Sequence, residues 1–122
     1  MKIKVLKRQF CICKVRDLSL VDLSDKYCFI GKTDEEISVI CSEKHAPKET
    51  CARSDGWRAF RIEGEMDLSL VGILSAISGI LADSQIPLMA VGTYNTDYLL
   101  VKEEHLEQAL VLLEDHDYKI EK

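Results

Sequence analysis

The feature that most narrows the fold of this chain is that it repeats itself. The string DLSLV stands at Asp17–Val21 and again at Asp67–Val71, fifty residues later. Further on, FIGKTDEEISVICSE (Phe29–Glu43) lies without gaps on AVGTYNTDYLLVKEE (Ala90–Glu104), sixty-one residues later. Gly31 then falls on Gly92, Glu36 on Asp97, and Val39 and Ile40 on Leu100 and Val101. The offset grows by eleven residues between the two matches, about three helical turns. The first copy is therefore shorter in a segment that reads as helix in the second, and the pattern predicts two related units of unequal size.

Periodicity fills in the second copy. Trp57–Gly64 alternates as a strand, with Phe60 and Ile62 on one side. Asp67 and Ser69 are good helix caps, and Leu70, Ile73, Leu74, Ile77, Ile80 and Leu81 recur at threes and fours to about Asp83. Gly72, Ser75, Ala76 and Gly79 form a second, small-residue stripe that would let another element come close. Two strands follow, Ile86–Thr93 and Tyr98–Lys102, joined by the turn TYNTD. Glu103–Asp115 reads as a helix with acids in its first turn, where the dipole favours them, and Tyr118–Ile120 closes as a strand. The order βαββαβ predicts an α+β, ferredoxin-like unit, an antiparallel sheet with both helices on one face. The first copy yields a long strand (Ile3–Arg16), a stub helix near Leu18–Asp25, and strands at Tyr27–Gly31 and Ile37–Ser42, a truncated βαββ half.

Charge divides the chain in the same place. Residues 1–55 carry eleven Lys/Arg and nine Asp/Glu, whereas residues 56–122 carry five and twelve. Between them, Lys44–Gly56 lacks an apolar period and reads as a linker, giving units 1–55 and 56–122. The net charge of −5 argues against a nucleic-acid partner, and no apolar run reaches the 18 or so residues of a membrane span. Five cysteines without a CxxC pair, and an N-terminus lacking the apolar core of a secretion signal, suit reduced thiols in a cytoplasmic protein. Three histidines without ligand spacing predict no metal, and no phosphate loop or nucleophile–base set predicts a cofactor or catalysis.

With these residues in place, GEMDLSLVGILSAISGILADSQIPLMAVGTYNTDYLLVKEEHLEQAL together with TDEEISVIC resembles the tandem ACT-domain proteins, the group of aspartokinase regulatory domains and Castor-type amino-acid sensors. The resemblance implies a complete ACT domain preceded by a truncated ACT-like half, and a small molecule, usually an amino acid, held where units meet. The residues suit such a ligand. The start of the helix near Leu70 offers unpaired amides to a carboxylate, and Gly72 permits close approach. Asp67 and Asp97 could accept an ammonium, with Thr93, Asn95 and Thr96 adding short polar groups. By resemblance, the ligand meets the loop Asp67, Leu68, Ser69, Leu70, Val71 and Gly72, and the turn Thr93, Tyr94, Asn95, Thr96 and Asp97. The blander readings are that Asp67 and Ser69 cap the helix, that Gly72 and Gly79 serve packing, and that Asp97 belongs to its turn. The expected function is a non-catalytic, amino-acid-binding regulatory or sensor module, homodimeric and able to act on an enzyme. The alternative is a dimerisation or docking module on the same scaffold.

Overall fold

The computed structural model describes residues 1–63 and 72–122. Among the described residues, seven strands and two α-helices follow in the order β1 (Lys2–Val15), β2 (Cys28–Lys32), β3 (Ile37–Ser42), β4 (Ala52–Glu63), α1 (Ile73–Asp83), β5 (Met89–Gly92), β6 (Asp97–Lys102), α2 (Glu103–Asp115) and β7 (Lys119–Glu121). The chain divides into two compact units, one of Met1–Lys7 with Arg58–Lys122 and one of Arg8–Trp57. The first seven residues thus group with the C-terminal part, whereas the charge break alone placed them with residues 1–55.

In the larger unit the strand order is β7-β1-β4-β6-β5. Alternate residues of β1 (Ile3, Val5), β4 (Phe60, Ile62) and β6 (Leu99, Val101) face one core. Both helices bury their stripes in it, α1 through Ile77 and Leu81 and α2 through Leu106, Ala109, Leu110 and Leu113. Spacings of three and four put these residues on one side of each helix, which is why two separate helices cover one sheet face. The antiparallel expectation holds for β5–β6, but β7 runs parallel to β1, Lys2 pairing with Lys119 and Lys4 with Glu121. A self-sufficient βαββαβ unit would return its last strand to its own first strand, here β4. Instead β1 occupies that place, and the Lys119 amide donates to the Met1 carbonyl at 2.9 Å.

Both helices end in the same way. Gln85 (φ 59°) and Asp117 (φ 70°) take the left-handed conformation just past α1 and α2. The amides of Ile86 and Tyr118 then reach back to the carbonyls of Leu81 and Leu113, each at 3.0 Å. This closure, followed by Pro87, which has no N–H to give a ladder, delays β5 to Met89 rather than the expected Ile86.

In the smaller unit β2, β3 and β1 pair antiparallel and β4 lies on the far side of β1. Cys11, Cys13, Val15, Val39 and Cys41 form its core, with Val21, Cys28, Ile37 and Ala46 packed against them. The expected stub helix over Leu18–Asp25 is a single 3₁₀ turn, Leu18–Leu20, capped where the Ser19 amide donates to Asp17 at 2.9 Å. Asp22 draws the Ser24 amide into a second local turn, and such side-chain bonds compete with helix. The expected linker is shorter than its composition suggested, because β4 begins at Ala52. As an edge strand of this unit its first half carries exposed polar residues, which periodicity mistakes for a loop.

The two hairpins also correct the register of the repeat. In one, Lys32 pairs with Ile37 and Gly31 with Ser38; in the other, Gly92 pairs with Asp97 and Val91 with Tyr98. The Thr33 amide donates to the Glu36 carbonyl at 2.9 Å and the Thr93 amide to the Thr96 carbonyl at 2.8 Å. Thr33 therefore corresponds to Thr93 and Val39 to Leu99, an offset of sixty rather than sixty-one. One residue matters in a strand, because a slip by one exchanges its faces.

Candidate functional site

The first hydrogen bond of α1 runs from the Ala76 amide to the Gly72 carbonyl at 2.8 Å. The amides of Ile73, Leu74 and Ser75 precede that bond, so they have no acceptor within the helix and carry the positive end of its dipole. Gly72 enters the helix at φ 91°, a left-handed conformation that a residue with a Cβ adopts at a cost. Beside this opening is a cavity of about 340 Å³, lined by Gly72, Ile73 and Ala76 from α1, by Met1, and by His116, Asp117 and Tyr118. The parallel pairing of β7 with β1 sets the last four residues there, and the left-handed turn at Asp117 holds that connection.

The lining has complementary chemistry. Helix-opening amides suit an anion, and the Asp117 carboxylate suits a cation. His116 Nδ1 lies 2.8 Å from the Leu112 carbonyl, which can only accept. A neutral ring therefore keeps its proton on Nδ1 and leaves Nε2 as an acceptor. The volume falls at the lower end of the range of about 300–1,000 Å³ usual for small-molecule sites.

Of the residues singled out in the sequence, Gly72 lines this cavity. Asp67, Leu68, Ser69, Leu70 and Val71 lie outside the described residues. Thr93, Tyr94, Asn95, Thr96 and Asp97 form the β5–β6 turn and are not among the residues lining the cavity. Thr96 Oγ1 donates to the Ile62 carbonyl at 2.7 Å, tying the turn to the end of β4. Thr93 Oγ1 donates to the Thr96 carbonyl at 2.9 Å, and Tyr94 is 90% exposed. Gly72, Ser75, Ala76 and Gly79 are all exposed, and among the described residues nothing comes within 4 Å of a Cβ built on Gly79. Gly72 and Gly79 of the stripe expected to admit a close neighbour therefore have none in contact among the described residues.

The sequence does not mark Met1, His116, Asp117 and Tyr118 as site residues, because what brings them to α1 is the pairing of chain ends. The run EDHDY after an amphipathic helix signals a helix stop, with Asp able to take a left-handed turn, but not what that stop faces.

Several charges elsewhere are committed to neighbours. Arg61 on β4 donates to Glu63 at 2.9 and 3.0 Å and to the Tyr98 hydroxyl at 3.2 Å. Arg8 pairs with Asp25, whose side chain is 1% exposed, and lies over the Tyr27 ring. Burial alone would raise the Asp25 carboxyl. The Ser42 hydroxyl, the Tyr27 amide and the Arg8 charge outweigh it and hold the group below its ordinary value. Among the described residues no cluster of His, Cys, Asp and Glu could hold a metal, and no helix is long and apolar enough to cross a membrane.

Comparison with known proteins adds the following. The family model described as ACT domain matches residues 52–115. A crystal structure of a protein from Agobacterium tumefaciens superposes with a TM-score of 0.87 at 24% identity, covering 98% of this chain and 91% of that one. A Vibrio cholerae protein described as of unknown function and possibly a transport protein gives 0.69 at 19% identity, over 93% and 88%. The regulatory subunit of aspartate kinase from Thermus thermophilus, in its ligand-free form, gives 0.66 at 10% identity, over 94% and 96%. No curated protein matches the sequence.

Proposed function

This chain belongs to the ACT-domain family, and from that premise we propose that it is a cytoplasmic regulatory module that binds a free amino acid and catalyses nothing. The cavity at the opening of α1 carries the reading. It offers amides for a carboxylate and, from Asp117 and His116, acceptors for an ammonium, the two groups every free amino acid presents. The fold shared with the Thermus regulatory subunit over nearly the full length of both chains supports a detached regulatory subunit. The amino-acid ligand itself is part of the proposal, and is the one both the aspartokinase and the Castor-type resemblances suggest. Binding would order the helix opening, and a partner enzyme could read that change as a shift in population.

A thermal-shift panel of the common amino acids tests this. A ligand at one hundred times its dissociation constant adds about 2.7 kcal/mol, a melting shift of several degrees. Asp117→Asn, which keeps a residue tolerant of the left-handed conformation, should weaken that ligand about tenfold, the loss of one charged hydrogen bond. Asp97→Ala asks whether the β5–β6 turn also belongs to the site, loss of the shift assigning it there. A panel without any shift sinks the reading.

The exposed small-residue stripe on α1 favours a second reading, in which the scaffold serves only to dimerise or to dock on an enzyme. Native mass spectrometry separates the two. A docking module assembles to the same extent whether or not amino acids are present.

A further inference from the structure

Four of the five cysteines gather in the core of the smaller unit, Cys11, Cys13 and Cys41 buried and Cys28 half-buried. Cys11 on β1 and Cys41 on β3 are direct antiparallel partners, with their sulfurs 3.8 Å apart. Antiparallel partners place their Cα atoms about 4.5 or 5.5 Å apart, and both distances lie within the span of roughly 4.4–6.8 Å that a disulfide accepts. The pair therefore stands at a spacing from which a disulfide can close. Cys28 pairs with Cys41 from the other side, so that Cys28, Cys41 and Cys11 make a row across three strands whose outer member reaches solvent.

We propose that Cys11 and Cys41 are a peroxide-reactive thiol pair, which closes into a disulfide between β1 and β3 and is reopened by a dithiol. The neighbours of each sulfur assign the roles. Either sulfur can donate the hydrogen bond between them, and a proton on one stabilises the thiolate of the other. Cys13 is pushed up to about 11, chiefly by burial, so it stays a thiol. We assign the attack to Cys11, whose thiol the hydrogen bond with Cys41 and the Arg53 charge lower against burial and the Asp55 and Glu43 charges, the thiolate being the reactive form. Its sulfur attacks one peroxide oxygen and the O–O bond breaks. Hydroxide leaves and is protonated to water, which balances the proton that Cys11 released on ionising. The Cys41 sulfur then attacks the Cys11 sulfenic acid, the S–O bond breaks, and the departing hydroxide leaves with the Cys41 proton as a second water. Two thiols are oxidised to one disulfide while one hydrogen peroxide is reduced to two waters.

The full chain carrying Cys51→Ser, which removes the exposed thiol, is reduced, treated with hydrogen peroxide and digested without reductant. Two of the four remaining thiols should disappear, the Cys11 and Cys41 peptides should be cross-linked, and dithiothreitol should restore both thiols. With Cys41→Ser added, Cys11 should stop at the sulfenic acid, trapped by dimedone on unfolding. Survival of all four thiols, a cross-link through Cys13 or Cys28, or sulfenic acid persisting while Cys41 is present would overturn the proposal. Should Cys41→Ser fail to fold, the peptide map of the Cys51→Ser protein still decides.

Discussion

Asp25 brings a negative charge almost wholly out of water, and the smaller unit can keep it only because Arg8, Ser42 and the Tyr27 amide surround it. Its carboxyl titrates lower in the folded chain than in the unfolded one. The stabilisation is therefore complete above the ordinary value near 3.8 and is lost as the pH falls through the depressed folded one. Asp25→Ala should cost about 1–3 kcal/mol at neutral pH, seen as a lower urea midpoint, with Arg8's partial exposure limiting the loss. The gap to the wild-type protein should close in strong acid; a gap independent of pH would mean that the charge is not its source. The sequence around Asp25, LSDKY, reads as an ordinary turn. Besides the local Tyr27 amide, its partners Arg8 and Ser42 stand seventeen residues away in each direction, so the ion pair depends on pairing between strands that no local pattern encodes.

At the scale of elements, α1 provides an internal contrast. Gly72 is left-handed, and among the described residues nothing crowds a Cβ placed there. Gly72→Ala should therefore cost about 1–2 kcal/mol through backbone strain alone. Gly79 has ordinary helical geometry and the same open surroundings. Gly79→Ala should stabilise by up to about 1 kcal/mol through helix propensity. Denaturant melts of the two variants check both signs; destabilisation by Gly79→Ala would show that a second surface packs against the stripe. The helices were legible because an amphipathic stripe is written locally, and α2 was bounded to the residue by its acidic start and apolar spacing. Strand edges were less so: Pro87 and the turn past α1 shortened β5, and the polar half of β4 looked like linker.

For the molecule as a whole, the pairing of β1 with β7 decides what folds alone. Ile3 and Val5 belong to the larger core, and β7 lies against Lys2–Lys4. A fragment of residues 56–122, though it contains most of the matched family region, should lose cooperative unfolding by circular dichroism, while a fragment joining residues 1–7 to 58–122 through a flexible linker should regain it. A cooperative melt of the shorter fragment would show that β1 is dispensable to that core. The candidate site shares this dependence. The sequence singles out Gly72 but sets the helix start near Leu70 rather than at Ile73, and the wall formed by Met1 and His116–Tyr118 exists because chain ends meet, which is information carried by topology rather than by any segment.

The two threonine-led turns carry a practical corollary for anyone exchanging hairpins between the halves. A transplant joined at the paired glycines would turn the incoming strand over and exchange the faces on which Val39 and Ile40, both buried, are packed. Spliced so that Thr33 replaces Thr93, each of the two keeps its own side of the sheet.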